Sequence, residues 1–368
     1  MYELSAYPQA GEPFFATEYA GFVSAMTGLG GLVALYDPTG CLGTAVNCWY
    51  AKPGGLFGAS LFAAENARPD EDGLIRRIAA AAWERQPEFI CLLDTPAGGL
   101  LGDNIQSAAL EVQYAAGIPC YGVETSGMKY YNQGQKLAYD LMFQRLMDAR
   151  TEQQKKTVNI LGMTRLDFES GNEYLYLKYF VEDCGYTVNC RIGGGASPEE
   201  MKRAPGAELN LVLSAAAVPL AQRMKLELGI PYVPASIHGN SNRVRIAEFL
   251  GQDTYAPEEV CPRERKVLIV GEQGAANALR GELRDIQGYD RVDAATFFEF
   301  RRDMSEPGDT ALAGIGALER LLSERNYDIV YADPTFREVC GKIPEFHAMP
   351  HPAVSDELAW LDEADVLC

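Results

Sequence analysis

Residues 95–127 read TPAGGLLGDNIQSAALEVQYAAGIPCYGVETSG, and this stretch decides the fold class. An apolar run at residues 89–93 precedes it and predicts a buried strand. After a loop of proline and glycine, Gly102-Asp103-Asn104-Ile105 opens a helix that is predicted to end near Gly117. Residues 118–123 predict the next strand. Together these elements form one parallel βαβ unit, and open α/β sheets bind ligands at the carboxyl ends of their strands.

The same alternation of apolar strands and amphipathic helices recurs along the chain. A helix at residues 133–150 closes the first block, and the polar stretch 148–156 follows as a linker. Alternating strands and helices of this kind indicate parallel sheets with helices on both faces. We therefore predict an α/β protein with three doubly wound parallel-sheet domains. The predicted domains are residues 1–152, 153–256 and 257–368, and the further predicted strands begin near residues 156, 187, 209, 231, 265 and 328.

Composition excludes several classes of partner. The chain of 368 residues carries a formal charge of −19, which argues against nucleic acids and anionic membranes as ligands. No basic start followed by an apolar run indicates a secretory signal, and the apolar stretch 22–35 is too short and too rich in glycine to span a bilayer. Nine scattered cysteines fit reduced thiols or metal ligands better than disulfides. A cytoplasmic protein is expected.

Several segments carry a family resemblance through their order and spacing. They are LYDPTGC at 35–41, GDNI at 102–105, VNILG at 158–162, GGGASPEEM at 193–201, LNLV at 209–212 and LGIPY at 228–232. The chain resembles the nitrogenase component 1 type oxidoreductases over nearly its whole length, with Asp37 where the family's first loop has a glycine. The resemblance implies three α/β domains, a dimer with a second copy or a paralogous subunit, and electrons delivered by an ATP-dependent iron–sulfur protein.

The resemblance also implies a metal cluster at the subunit interface, because the family uses three cysteine positions per subunit there. Only Cys41 survives; Phe22 and the region of Thr95 or Pro96 stand at the other two positions. Cys48 lies seven residues beyond Cys41, so a symmetric dimer would offer four thiolates, enough for one [4Fe–4S] cluster. A different subunit could instead supply the missing ligands, or both cysteines could be ordinary buried thiols. Cys91 and Cys120 lie in apolar strands and are expected in the core.

The substrate follows from a cysteine that is missing. The family's cofactor-binding cysteine comes after the LNLV strand, where this chain has Ser214 followed by three alanines. A hydroxyl does not replace a thiolate on iron, so no iron–molybdenum cofactor and no dinitrogen reduction are expected. A tetrapyrrole is the favoured substrate, as in the related dark-operative protochlorophyllide reductases and nickel-sirohydrochlorin reductive cyclases. The small residues at 214–217 are expected to leave room for it between the domains.

Three residues are candidates for acid–base chemistry. His238 follows the strand after Gly229 and is expected at a carboxyl edge, where an acid or axial ligand would be useful, although a surface role is as reasonable. Asp103 could accept a proton or could cap its helix. Glu124, next to Thr125, ends a strand and faces the same region. The glycine loops at 193–195 and 271–274 lack nucleotide-binding spacing and are interpreted as tight turns.

Two other classes of function compete with a reductase subunit. A non-catalytic member could act as a scaffold or carrier for a metal cofactor or tetrapyrrole, or could support a catalytic paralogue. The loss of two family cysteine positions favours this alternative. A two-lobed protein that binds a small molecule without redox chemistry is the third.

Overall fold

The computed structural model describes residues 15–37, 56–60, 71–94, 104–168, 172–236, 239–252 and 260–355. Within these ranges the chain forms three parallel sheets of four, four and five strands. We refer to the sheets and their helices as the N-terminal, middle and C-terminal units. This architecture confirms the predicted α/β fold class, whereas the domain boundaries at residues 152 and 256 stay a prediction.

The N-terminal unit contains the βαβ segment that the opening sequence predicts. Its sheet has the order β2-β1-β3-β4, and all its strand pairs are parallel. The strands are β1 Leu32–Asp37, β2 Leu56–Ser60, β3 Ile90–Leu93 and β4 Cys120–Val123. The helices are α1 Glu18–Met26, α2 Glu71–Arg85, α3 Ile105–Ala116 and α4 Tyr131–Leu141, and α4 continues into a π-helical turn at Met142–Leu146.

Helix α3 shows how local sequence sets its ends. The Asn104 side chain caps it by accepting hydrogen bonds from the backbone N–H groups of Gln106 (3.0 Å) and Ser107 (3.3 Å). Gly117 ends it in the left-handed conformation, with φ of 68°. The prediction that Asp103 caps this helix is therefore wrong, because the cap is the next residue, Asn104.

The middle unit has the strand order β6-β5-β7-β8, again parallel throughout. Ser197 begins one of its helices with a capping box, in which the Ser197 hydroxyl accepts from Glu200 N and Glu200 Oε2 accepts from Ser197 N. Its strands are β5 Thr157–Leu161, β6 Thr187–Ile192, β7 Leu209–Val212 and β8 Tyr232–Pro234. Its helices are α5 Asn172–Asp183, α6 Pro198–Arg203, α7 Val218–Leu228 and α8 Asn240–Phe249.

The C-terminal unit has the order β11-β10-β9-β12-β13, also parallel. Its central strand ends in four buried residues, as a strand covered on both faces should. The strands are β9 Arg263–Val270, β10 Tyr289–Thr296, β11 Thr310–Ala311, β12 Ile329–Ala332 and β13 Glu345–Ala348, and the helices are α9 Gln273–Asp285 and α10 Ile315–Arg325.

One buried apolar cluster joins all three units. It includes Phe22 of α1, Met142 after α4, Leu220 of α7 and Phe298 after β10. Each unit also has core residues of its own, on the sheet face turned away from this cluster. Among the helices that the structure describes, none has both the length and the apolar character that a bilayer crossing requires.

Candidate functional site

Helix α4 brings the three units together. It crosses α1 closely, because Gly21 and Gly134 allow the two backbones to touch: a Cβ on Gly134 would lie 1.6 Å from the Glu18 carbonyl oxygen. Tyr131, Gln135 and Tyr139 are spaced four residues apart on α4, so they share one face. All three are at most 1% exposed. That face meets loops at the carboxyl ends of strands in the other two units.

A buried carboxylate of the middle unit binds this face. Asp167 accepts a hydrogen bond from the Tyr131 hydroxyl at 2.7 Å and one from Gln135 Nε2 at 2.8 Å. The Thr164 hydroxyl donates a third, also at 2.8 Å. Asp167 and Thr164 follow β5, so the contact forms at the carboxyl edge of the middle sheet.

A second buried carboxylate arrives from the C-terminal unit. Glu272 follows β9, and its carboxylate accepts from the Ala275 backbone N–H at 2.9 Å, which caps α9. The same carboxylate accepts from the Ala215 N–H of the middle unit at 2.8 Å. Glu272 thus links two units and lies close enough to Asp167 for their charges to interact. We call Tyr131, Gln135, Tyr139, Asp167, Ser214 and Glu272 the junction.

An aromatic layer lies beside the junction. The ring of Tyr131 meets Phe298 at a centroid distance of 5.1 Å and His351 at 5.9 Å. Phe15 contacts Phe298 at 5.3 Å in an edge-to-face arrangement. Tyr131 therefore joins all three units, since its hydroxyl binds the middle unit and its ring packs on the C-terminal unit.

Burial dominates the electrostatics of the junction. Burial raises the pKa of Asp167 to about 6, although three hydrogen-bond donors favour its charged form. Burial, followed by the charge of Asp167, raises the pKa of Glu272 to about 7 against the pull of backbone N–H groups. Burial also raises the pKa of the Tyr139 hydroxyl well above its usual range. Two carboxyl groups with pKa values near neutrality can hold and exchange a proton inside the protein.

The glycine loops serve close backbone approach, as predicted for tight turns. A Cβ on Gly194 would lie 2.0 Å from the Met163 carbonyl oxygen, and one on Gly274 would lie 1.9 Å from that of Leu213. Both contacts join loops at the edges of sheets around the junction. No side chain larger than hydrogen fits at either position.

The small residues at 214–217 do not leave an open space among the described residues. Ser214 to Ala217 are at most 3% exposed, and the three alanines belong to the main apolar cluster. A Cβ on Gly162 would lie 2.3 Å from the Ser214 hydroxyl oxygen, which shows how closely this loop is covered. The prediction of room for a tetrapyrrole at these residues is therefore wrong. The junction side chains offer carboxyl, hydroxyl and amide groups without a thiolate, and so do not fit an iron–molybdenum cofactor.

Most of the predicted site residues fall outside the described ranges. Cys41 and Cys48, the expected cluster ligands, lie there, as do Asp103 and His238. Glu124 is described and is exposed beyond the end of β4, so the structure does not bring it to the junction. Its neighbour Thr125 is buried, and its hydroxyl donates to the Asp94 carbonyl oxygen. The catalytic roles of His238, Asp103 and Glu124 stay predictions.

The described cysteines behave as core residues. Cys91 and Cys120 are buried on the neighbouring strands β3 and β4, as predicted. Burial raises the pKa of Cys120 to about 12 and that of Cys91 well above its usual range, so neither thiol ionises readily. Within the described ranges no three histidine, cysteine or acidic side chains are grouped to hold a metal ion.

The two histidines near the C-terminal unit have structural environments. His351 is buried, and burial lowers its pKa to about 4. Its Nδ1 accepts from the Ala353 N–H at 3.2 Å, and its own backbone N–H donates to Asp333 at 3.0 Å. His347 stacks on Tyr331 and contacts Glu345 through Nε2 at 2.6 Å.

The buried carboxyl groups predict a specific pH dependence of stability. Because their pKa values rise from 4.5 to about 7 for Glu272 and from 3.8 to about 6 for Asp167, the folded state binds more protons than the unfolded state between those limits. The free energy of unfolding therefore falls as pH rises from 5 to 8. We expect Glu272→Gln to remove on the order of 2–3 kcal/mol of this fall, measured by urea unfolding at both pH values.

His351 contributes in the opposite direction, since its lowered pKa costs stability as pH falls below 6.5. The difference between wild type and Glu272→Gln isolates the carboxyl contribution, because both proteins keep His351. Equal pH slopes in the two proteins would contradict the assigned pKa of Glu272.

Comparison with solved structures defines the class of fold. The chain superposes on a chain of nitrogenase Cp1 at pH 6.5 with a TM-score of 0.70, covering 95% of this chain and 88% of that one at 13% identity. A second nitrogenase Cp1 structure, at pH 5, gives a TM-score of 0.66 at 18% identity. At these identities the likeness shows the nitrogenase component 1 fold and nothing about chemistry.

Sequence comparison defines the family. Residues 38–282 match the family described as nitrogenase component 1 type oxidoreductase, which is more than half of the chain. The chain belongs to this family. It is 27% identical to the nitrogenase iron-molybdenum cofactor biosynthesis protein NifE of Clostridium pasteurianum over 53% of its own length and 42% of that protein. It is 26% identical to one of the subunits of light-independent protochlorophyllide reductase from Gloeothece citriformis (strain PCC 7424) over 50% and 39%. These matches span less than half the length of either relative.

Proposed function

We propose that the chain is an electron-carrying subunit of a nitrogenase-like reductase. It would accept low-potential electrons from an ATP-dependent iron–sulfur protein and pass them to a substrate bound with the help of a second subunit, either another copy or a paralogue. Family membership supports the reductase class, and relatives named as reductase subunits support a multisubunit complex. The expected setting is the cytoplasm.

Thiolates of Cys41 and Cys48 would hold a [4Fe–4S] cluster where two subunits meet, and such clusters transfer single electrons. The family match begins at residue 38, so it includes both cysteines. Cys41 follows the end of β1 at Asp37 by four positions, which assigns it to the loop after that strand. Loops after parallel strands carry the ligands of α/β proteins. His238, Asp103 and Glu124 are proposed as proton donors or acceptors outside the junction.

The filled junction is the observation that carries the division of labour. In the middle of the three units, Tyr131 donates to Asp167, and Glu272 accepts from the neighbouring Ala215, through buried hydrogen bonds. A tetrapyrrole placed there would have to break these contacts and leave buried carboxyl groups without donors, at about 1–3 kcal/mol for each. The substrate, for which a tetrapyrrole is favoured over dinitrogen, is therefore proposed to bind between subunits.

A cluster assay tests the proposal. Chain purified without oxygen is expected to contain about four iron and four sulfide per cluster and to show an EPR signal after reduction with dithionite. Cys41→Ala and Cys48→Ala should each abolish the signal. Cys261→Ala is the matched control, because Cys261 is an exposed thiol. Iron-free wild-type protein, or a cluster that survives both substitutions, would overturn the proposal.

The second candidate function is a scaffold or carrier for a metal cofactor or tetrapyrrole. Similarity to a protein named for cofactor biosynthesis favours it. An absorbance titration of the chain alone with a tetrapyrrole separates the two candidates. Saturable binding without a reducible cluster supports the carrier, whereas a reducible cluster without binding supports the electron-carrying subunit.

A further inference from the structure

A polar cavity of about 280 Å³ lies between the middle and C-terminal units, apart from the junction. On the middle side it is lined by residues after β8 and by the first turns of α8. On the other side it is lined by one face of α9 and by the segment after β10 that ends near Glu306. The cavity thus lies at the carboxyl end of a parallel strand and between two units, two positions where α/β proteins bind small molecules.

Three arginines converge on this cavity. Arg280 and Arg284 lie on the face of α9 that Asn277 begins, and Arg245 comes from α8. The chain as a whole carries a charge of −19, so three guanidinium groups around one cavity run against its overall charge. Local positive charge in an acidic protein indicates a site for an anion.

Two of these arginines already have carboxylate partners. Glu306 pairs with Arg284 at 2.8 Å and with Arg280 at 3.3 Å. Arg280 also binds the buried Asp309. Asp303, the other acidic residue of the lining, accepts hydrogen bonds from Gln222 and Tyr232, each at 3.2 Å, and neither of these two residues lines the cavity.

Arg245 is the cation that these carboxylates leave over. Within the described ranges it forms no ion pair; its guanidinium donates to Asn242 Oδ1 at 3.3 Å, and Glu306 acts on it only through a longer-range charge. Part of the side chain remains exposed at the cavity, while its surroundings are crowded enough that burial lowers its pKa. A crowded guanidinium without a carboxylate partner binds an oxyanion favourably.

We propose that this cavity binds a small oxyanion, a phosphate or carboxylate group, with Arg245 as its main ligand and Arg284 and the Ser241 hydroxyl beside it. The Ser241 N–H is already taken, because it donates to Asp285 at 2.6 Å, so the side chains and not the helix terminus carry the site. A volume of this size holds a phosphate or a small polycarboxylate and excludes a tetrapyrrole. The proposal does not depend on the cluster at Cys41 and Cys48.

Thermal unfolding of the full chain at constant ionic strength tests the site, with inorganic phosphate and citrate as separate probes. Binding should raise the midpoint temperature in a saturable manner. Arg245→Gln should weaken binding by about ten- to hundredfold, as expected for loss of a charged hydrogen bond. Arg245→Lys should retain part of the affinity, because it keeps the charge without the planar fork.

Arg243→Gln is the matched control. Arg243 lies on the same helix, is exposed, and lines a different small cavity beside Tyr176 and Phe180. Saturation by phosphate alone identifies a phosphoryl site, and saturation by citrate alone a carboxylate site; both support the proposal. No saturable effect of either probe on wild type, or equal losses in Arg245→Gln and Arg243→Gln, overturns it.

Discussion

Replacing Gly134 with alanine is expected to prevent the chain from reaching its native state. The new Cβ would lie 1.6 Å from the Glu18 carbonyl oxygen and 2.8 Å from the Phe22 backbone nitrogen. Both atoms belong to the backbone of α1, which cannot rotate away as a side chain could. Helices α1 and α4 would have to separate, and the face of α4 that holds Asp167 would move with them. We expect a loss of about 4–5 kcal/mol or more, seen in the urea midpoint and in circular dichroism.

Gly316→Ala is the control for this substitution. Gly316 is also helical, in α10, and a Cβ there would meet only the flexible end of Arg320 at 3.8 Å. Alanine should stabilise that helix by about 0.5–1 kcal/mol, because glycine is the poorer helix former. A Gly134→Ala protein as stable as Gly316→Ala would contradict the close crossing of α1 and α4.

The second large effect is expected from Asp309→Ala. The Asp309 side chain is 1% exposed and pairs with Arg280, whose side chain is 3% exposed. It also accepts from the backbone N–H groups of Ala294 and Glu306, each at 2.8 Å. Alanine leaves a buried guanidinium and two backbone donors without their acceptor. Breaking a buried pair in this way costs about 3–5 kcal/mol, measurable by urea unfolding at neutral pH.

Exposure decides the size of this effect, and an exposed pair provides the comparison. Lys178 and Glu182 form an ion pair on α5 with both side chains 38% exposed. Glu182→Ala should cost about 0.5 kcal/mol or less, because water screens such pairs. A loss below about 1 kcal/mol for Asp309→Ala would contradict the buried environment assigned to Asp309.

Much of the fold follows from the sequence because apolar runs mark buried parallel strands. Strands predicted at residues 89–93, 209–213 and 265–270 appear as β3, β7 and β9, each shifted by at most two residues at either end. Turn and cap residues explain the helix limits, as Asn104 and Gly117 do for α3. The edge strands β11 and β13 were not predicted, since one has two residues and the other is only half-buried.

The junction could not be predicted in the same way. Asp167 and Glu272 are separated by about a hundred positions, and each looks like an ordinary loop carboxylate in sequence. Only tertiary packing shows that Tyr131 and Ala215 donate to them in a buried setting. One signal was present: each acidic residue comes soon after a fully apolar parallel strand, where the carboxyl edges of neighbouring sheets converge. Small residues at 214–217 suggested an open space because sequence does not show what covers them.

The filled junction changes what the family resemblance implies for this chain. A reductase subunit that keeps its three units joined by buried carboxyl groups has its rigid centre where a ligand was expected. Electron transfer near Cys41 and substrate binding between subunits are compatible with that centre, because neither requires the units to separate. We therefore assign stability to the junction and propose redox chemistry for the N-terminal unit.

Anomalous diffraction at the iron absorption edge, on crystals of the chain grown without oxygen, tests this division most directly. We expect an iron peak beside Cys41 and Cys48, and a junction in which the Tyr131 hydroxyl binds Asp167 with no iron nearby. Iron or a bulky ligand between Asp167 and Glu272, with Tyr131 displaced, would contradict it.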